Sequence, residues 1–247
     1  MDLDGTVYYG KDEVPGACDF IKTCQKKGIR ILYVTNRANR PPEEIRDQLR
    51  SFKIPCETDD VLTAAQATAR YLKKGSAYYI GEEGMRLALE EEGITLNDVN
   101  PDYVIVSFDR EFNYAKLKKA CSLIFKGAKF VASNPDRGLK MEDGISPGTG
   151  AIIAAVETGS AVKPLMIGKP EGIIFEMALQ KLGMNKNEVI AIGDNVDTDI
   201  PAGITAGTRT ALILTGISTY EEAMRSPHKA TWTVRDFAEL SALLEEI

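Results

Sequence analysis

Two carboxylates stand close together at the start of the chain, where residues 2–6 read Asp-Leu-Asp-Gly-Thr. Residues two positions apart on an extended backbone project to the same side, so Asp2 and Asp4 can act on one bound group. Asp2 can attack phosphorus and form an aspartyl-phosphate, while Asp4 can protonate the leaving oxygen and later deprotonate water. An ordinary Asp-Gly turn explains the same residues, so the fragment alone leaves both interpretations open.

Two further fragments place phosphate-binding groups directly after apolar runs. Thr35 and Asn36 follow residues 29–34, and a hydroxyl beside exposed backbone N–H groups suits a phosphoryl oxygen. Lys169 follows residues 165–167, and a lysine at a strand end can neutralise a phosphoryl group and orient a nucleophile. The alternatives are a helix N-cap at Thr35 and a solvent-facing lysine.

A fourth fragment, residues 193–199, reads Gly-Asp-Asn-Val-Asp-Thr-Asp and follows the apolar run 189–192. Its carboxylates repel one another unless a cation or hydrogen bonds offset the charge. A Mg²⁺ ion shared with Asp2 would do so, because this ion prefers oxygen ligands. Helix capping by Asp197 or Thr198 is the alternative.

The composition narrows the chemistry. The single histidine, His228, leaves no basis for a Ser-His-Asp hydrolase or a His-based zinc site. The formal net charge of −6 gives no electrostatic reason to bind nucleic acid or an anionic membrane. The 4 cysteines form no C-x-x-C pair, and no targeting segment is visible, so we expect reduced thiols and a cytoplasmic location.

The elements that would position these fragments alternate between apolar strands and amphipathic helices. Residues 29–34, 189–192 and 211–214 are typical of buried strands, while residues 17–24 and 174–182 carry helical apolar spacing. This alternation predicts a parallel sheet with helices on both faces. Ligands bind at the carboxyl ends of such strands, which is where the polar fragments stand.

The middle of the chain repeats the alternation, with predicted strands at 77–80, 103–106 and 129–132. We therefore expect an inserted domain that interrupts the sheet of the first. The predicted boundaries are residues 1–75 and 163–247 for the core and residues 76–162 for the insertion.

The four fragments, in this order and each at a predicted strand end, resemble the four motifs of the haloacid dehalogenase-like phosphatase superfamily. The insertion after the second motif resembles the large cap of the subgroup that contains NagD, AraL and the p-nitrophenyl phosphatases. Residues 14–17, 61–63, 79–82, 100–102 and 132–136 also look like that subgroup. The resemblance implies an α/β fold, with a Rossmann-like doubly wound core of parallel strands and an inserted α/β cap of the C2 type.

The resemblance also implies roles for the acids and the lysine. Asp2 would be nucleophile and metal ligand, and Asp4 would be general acid/base and bind Mg²⁺ through its backbone carbonyl. Lys169 would hold the nucleophile and the phosphate together. Asp194 would complete the protein's metal ligands, with Asp199 in support.

Substrate contacts would come from two places. Thr35 and Asn36 would bind the phosphoryl group, together with Arg37. Many relatives carry Asn-Ser-Ser after the Thr-Asn pair, whereas residues 37–39 here read Arg-Ala-Asn, which is more like the AraL type. Asn134 and Asp136, on a loop of the cap, would face the leaving group and select the substrate.

The sequence thus predicts a Mg²⁺-dependent phosphatase that hydrolyses small-molecule phosphate monoesters through an aspartyl-phosphate. The alternatives are a phosphotransferase or phosphomutase on the same fold, a receiver-like signalling domain phosphorylated on aspartate, and an inactive binding protein. The resemblance also implies that the cap can pair with a second copy in a homodimer.

The start of the chain departs from the family pattern. The family has an apolar strand before the nucleophile, whereas only Met1 precedes Asp2 here. We therefore expect the natural protein to carry a short apolar strand before Met1, because the strands beside it would otherwise lose ladder partners.

Overall fold

The computed structural model describes residues 1–141 and 144–246 as alternating strands and helices. The helices are α1 (Ala17–Lys26), α2 (Pro42–Ser51), α3 (Ala64–Leu72), α4 (Glu83–Glu91), α5 (Tyr114–Phe125), α6 (Thr149–Ser160), α7 (Ile173–Leu182), α8 (Asp199–Ala206), α9 (Tyr220–Arg225) and α10 (Phe237–Glu246). The strands are β1 (Tyr8–Tyr9), β2 (Asp12–Glu13), β3 (Tyr33–Thr35), β4 (Val61–Thr63), β5 (Ser76–Ile80), β6 (Thr95–Leu96), β7 (Tyr103–Val106), β8 (Lys129–Ala132), β9 (Gly138–Met141), β10 (Gly144–Pro147), β11 (Leu165–Met166), β12 (Ile190–Gly193), β13 (Arg209–Ile213) and β14 (Trp232–Val234). Within the described ranges, no helix combines the length and apolarity needed to cross a membrane.

The chain divides into two compact units. The first unit contains residues 1–35, 42–62 and 169 onward, and the second contains residues 36–41 and 63–168. The second unit is thus longer at both ends than the predicted insertion of residues 76–162. The reason is packing, because α3 packs against α4 and β11 pairs with β8, which places both flanking elements in the second unit.

In the first unit, the first residues of the chain lie in the middle of the sheet. Strands β12, β13 and β14 are parallel neighbours, and β3 pairs with β4. Residues 1–3 lie between the two groups, because Val34 N donates to Met1 O at 2.9 Å and Asp2 N donates to Ile192 O at 2.8 Å. The chain therefore has later strands on both sides of Asp2, which is the switch point where α/β sheets bind ligands.

Amphipathic helices cover this sheet. In α1 the residues Ala17, Phe20, Ile21 and Cys24 are buried, at the spacing that places them on one helix face. Phe20 packs against Phe237 of α10, with ring centroids 5.3 Å apart. The apolar core of this unit holds the segment that begins with Asp2 in place.

The second unit has a five-stranded parallel sheet in the order β11-β8-β7-β5-β6. The strands β7 and β8 have the bounds predicted from their apolar runs, and α5 and α6 pack together. Val104, Phe130, Leu123 and Ile152 belong to the buried core of this unit. Parallel strands joined by helices in both units confirm the predicted α/β fold class.

Candidate active site

Lys169 joins two carboxylates inside the first unit. Its Nζ donates to Asp2 Oδ1 at 2.5 Å and to Asp199 Oδ1 at 2.7 Å, and it lies 3.4 Å from Val34 O in β3. All three charged side chains are buried, with 3% of Lys169, 7% of Asp2 and 2% of Asp199 exposed. Buried charges persist only when they are paired, and this lysine bridges both acids.

The charges at this site shift one another's pKa values. Burial raises the pKa of Asp2 well above its ordinary range, and Asp199 and Asp194 act in the same direction, while Lys169 opposes them. Burial alone would lower the pKa of Lys169, but the carboxylates of Asp199 and Asp2 outweigh it and raise the pKa. The lysine therefore stays cationic, while burial and the neighbouring carboxylates disfavour the negative charge of Asp2.

Asp194 lies directly after β12 and is 1% exposed. Thr6 Oγ1 donates to its Oδ1 at 3.0 Å, and the Ile217 amide donates to its Oδ2 at 2.8 Å. Burial and the nearby Asp199 raise the pKa of Asp194 to about 6, against the two hydrogen bonds, which lower it. The two hydrogen bonds therefore orient the carboxylate, while burial and the charge of Asp199 make its ionisation unfavourable.

Asp2, Asp194 and Asp199 form a group that could hold a metal ion, since one carboxylate oxygen from each lies within 4.8 Å of the others. Three carboxylates beside one lysine leave a net negative charge in a buried site. A divalent cation fits this donor set, because Mg²⁺ binds carboxylate oxygens. In Asp199, Oδ1 accepts from Lys169 and Oδ2 accepts from the Asn195 amide at 3.1 Å, so each of its oxygens has one hydrogen-bond donor, as in Asp194.

Two other predicted residues lie next to this group in the chain. Asp4 follows the buried segment of residues 1–3, forms a bridge with Tyr8 and is partly exposed. Thr35 is 2% exposed and ends β3, directly after the carbonyl that lies near Lys169. Thr35 thus ends a strand, although that strand begins at Tyr33 and not at residue 29 as predicted, because Ile29 is exposed. Asp4 follows the segment that is hydrogen-bonded between β3 and β12.

The remaining predicted residues belong to the second unit. Asn36 Nδ2 donates to Asp136 Oδ1 at 2.9 Å, and Asn134 Nδ2 donates to Asn36 O at 2.9 Å. The Asp136 amide in turn donates to Asn134 Oδ1 at 3.2 Å. Asn134 is 2% exposed, so its buried side-chain amide links the backbone of Asn36 to the backbone of Asp136. Arg37 is half-buried in the same stretch of chain.

Sequence reasoning missed the groups that hold Asp194. Thr6 is part of the first fragment but received no role, and the Ile217 amide cannot be read from a side-chain pattern. A signal was present in Thr215-Gly216, which stands near the carboxyl end of the predicted strand 211–214. Glycine at such a position often marks a close approach of the backbone.

Two family models match this chain. Residues 1–95 match the family model described as haloacid dehalogenase-like hydrolase, and residues 166–240 match a second model of HAD-like hydrolases. These segments contain Asp2, Asp4, Lys169, Asp194 and Asp199.

Similar proteins cover nearly the whole chain. The 5'-nucleotidase YutF of Bacillus subtilis is 40% identical over 243 residues, which is 97% of this chain and 95% of that protein. An acid sugar phosphatase of Staphylococcus aureus is 41% identical over 251 residues, which is 100% of this chain and 97% of that protein. The structure of NagD from E. coli K-12 superimposes with a TM-score of 0.91 at 34% identity, over 96% of this chain and 95% of NagD. The chain therefore belongs to the haloacid dehalogenase-like hydrolases, as a phosphatase of the NagD-like subclass.

Proposed function

We propose that this phosphatase hydrolyses small-molecule phosphate monoesters by covalent catalysis, with Asp2 as the nucleophile. The observation that carries the proposal is the buried pairing of Asp2 with Lys169, beside Asp194 and Asp199. The lysine fixes one oxygen of Asp2 and supplies positive charge for the incoming phosphoryl group. A buried carboxylate held in this way is oriented before the substrate arrives.

The metal of the proposal is Mg²⁺, held by the carboxylates of Asp2 and Asp194 and by the main-chain carbonyl of Asp4. The group of three carboxylates supports this choice. When bound, the ion would offset negative charge on the phosphoryl oxygens. Asp199 supports the site through Lys169 and the Asn195 amide, where both of its oxygens are engaged.

The chemistry falls to the two acids of the first fragment. Asp2 forms a bond to phosphorus, while the bond from phosphorus to the ester oxygen breaks and that oxygen takes the proton of Asp4. Asp4 then accepts a proton from water, which attacks the aspartyl-phosphate, releases phosphate and restores Asp2. Thr35, Asn36 and Arg37 bind the phosphoryl oxygens in this scheme.

The substrate class follows from the relatives and from the second unit. One relative is named a 5'-nucleotidase and another an acid sugar phosphatase, so nucleotides and sugar phosphates are both candidate substrate classes here. We assign the choice of leaving group to Asn134 and Asp136, whose loop is fixed by hydrogen bonds to Asn36. Pairing of two copies through the cap and a cytoplasmic location stay predictions.

The test is turnover of a panel of nucleoside 5'-monophosphates, sugar phosphates and p-nitrophenyl phosphate. Asp2→Asn should abolish turnover, because an amide is a poor nucleophile and a poor Mg²⁺ ligand. EDTA should do the same to the wild type, reversibly on adding Mg²⁺. Asp19→Asn, an exposed position on α1, is the matched control and should keep full activity. Substantial phosphatase activity in purified Asp2→Asn protein would contradict the proposal.

A further inference from the structure

A short segment after β13, residues 215–218, wraps around the loop that carries Asp194. We name it the clamp segment. The Ile217 amide donates to Asp194 Oδ2 at 2.8 Å, and the Ser218 amide donates to Asp194 O at 3.1 Å. Ser218 Oγ accepts from the Val196 amide at 2.8 Å. The clamp segment therefore binds both the side chain and the main chain of one loop.

Gly216 makes this approach possible. A Cβ atom built on Gly216 would lie 1.9 Å from Asp194 Oδ2 and 2.4 Å from its Cγ, far inside van der Waals contact. A Cβ on Gly5 would lie 2.5 Å from the same oxygen. Thr215 Oγ1 donates to Gly5 O at 2.9 Å and so ties the two flanking turns together. The carboxylate of Asp194 thus lies close to the backbone at both glycines, where neither position has room for a side chain.

The hydrogen bonds leave room for a cation. Each carboxylate oxygen offers about two acceptor sites. Thr6 donates to Oδ1 and Ile217 donates to Oδ2, and among the described residues neither oxygen has a second hydrogen-bond donor, so each keeps acceptor capacity for a cation. The clamp segment therefore fixes the carboxylate plane without consuming its capacity to bind a metal.

We propose that the clamp segment positions Asp194 for metal binding, with the Ile217 amide as the positioning group and Gly216 as the residue that admits it. The inference rests on the proposed function, since it assigns a metal to Asp194. It adds a part of the chain outside the four motif-like fragments, one whose backbone sets metal affinity. Partners that orient a ligand are often worth about 10- to 100-fold in metal affinity.

The first test is Gly216→Ala, assayed by calorimetric titration of the metal-free protein with Mg²⁺. We expect affinity to fall by about 10- to 100-fold, because the methyl group must displace the Asp194 carboxylate. The Mg²⁺ concentration for half-maximal activity should rise in parallel, while kcat at saturating Mg²⁺ should fall much less. Gly203→Ala is the steric control, since its Cβ would collide at 2.6 Å with the Thr210 methyl instead.

A gentler variant covers the case in which Gly216→Ala does not fold. Ser218→Ala removes the acceptor of the Val196 amide and should weaken Mg²⁺ binding by about 2- to 10-fold, the value of one neutral hydrogen bond. Ser51→Ala, at an exposed serine of α2, is its control. Wild-type Mg²⁺ affinity in Ser218→Ala and in folded Gly216→Ala would overturn the inference. An equal loss of affinity in Gly203→Ala would overturn it too.

The titration separates this inference from the proposed function. Failure of the proposed function would appear as phosphatase activity that survives Asp2→Asn or EDTA. Failure of the clamp would appear as unchanged Mg²⁺ binding in the variants, with the wild type still dependent on Asp2 and Mg²⁺.

Discussion

The charge of Asp194 should cost the metal-free protein stability, and Asp194→Asn should recover it. The substitution removes the charge but can keep both hydrogen bonds. The amide oxygen can accept from Ile217, and the amide NH₂ can donate to Thr6 Oγ1, because a threonine hydroxyl both donates and accepts. The comparison therefore isolates the charge of a side chain that is 1% exposed.

The magnitude follows from the pKa. Burial and Asp199 raise the pKa of Asp194 from 3.8 to about 6 in the folded protein. Each pKa unit corresponds to about 1.4 kcal/mol, so ionisation costs the folded state about 3 kcal/mol. This free-energy cost of ionisation is absent below the pKa of the unfolded state, where Asp194 is protonated in both states. It grows as the pH rises towards the raised pKa of the folded state and is complete above that pKa. Metal-free wild type should therefore lose stability from about pH 4 to pH 6.

The assay is urea unfolding in EDTA between about pH 4 and pH 7.5. The single tryptophan, Trp232 in β14, reports on the first unit. At pH 7 Asp194→Asn should be more stable than wild type by up to about 3 kcal/mol, and the difference should vanish near pH 4. Added Mg²⁺ should stabilise the wild type more than the variant. A variant that is less stable than wild type at pH 7 in EDTA would refute the reasoning.

Two further predictions concern the lysine and the second unit. Lys169→Met should lower kcat by about 10²- to 10³-fold and destabilise the metal-free protein at pH 7 by about 3–5 kcal/mol, because two buried carboxylates lose their partner. Unfolding and turnover measurements check this against Lys163→Met, an exposed control. Asp136→Ala should change relative kcat/KM between nucleotides and sugar phosphates by more than about tenfold, or roughly 1.4 kcal/mol. p-Nitrophenyl phosphate should respond less, and equal losses on all substrates would show that Asp136 acts through Asn36.

Strong local patterns predicted much of the fold. Residues 103–106 are a continuous apolar run, residues 129–132 are apolar after their first residue, Lys129, and both are strands with those bounds. The hairpin of β1 and β2 and the last helix, α10, were not predicted. Strands of 2 residues leave no periodic signal. The short strand β14 is only partly buried, and its pairing with β13 depends on contacts distant in sequence.

The site was predictable where side chains follow strands. Parallel strands bring their carboxyl ends together, so Asp2, Lys169 and Asp194 could be expected to meet. The partners of these groups could not be read in the same way. Asp199 was expected among the metal ligands and lies in the group of three carboxylates, but its hydrogen bonds to Lys169 and to the Asn195 amide were not predicted. One of the two hydrogen-bond donors to the Asp194 carboxylate is the main-chain amide of Ile217, and main-chain donors cannot be recognised from the sequence.

The central claim is that Asp2 carries the phosphoryl group, and Asp4→Asn with p-nitrophenyl phosphate tests it most directly. The nitrophenolate leaving group departs without a proton, so Asp2 can still be phosphorylated in Asp4→Asn. The missing base then blocks hydrolysis of the aspartyl-phosphate. We predict a burst of nitrophenolate equal to the enzyme concentration, with the phosphoryl group on the peptide that contains Asp2. The double variant Asp2→Asn/Asp4→Asn should give neither. A burst that persists in the double variant, or a phosphoryl group on another residue, would contradict the account.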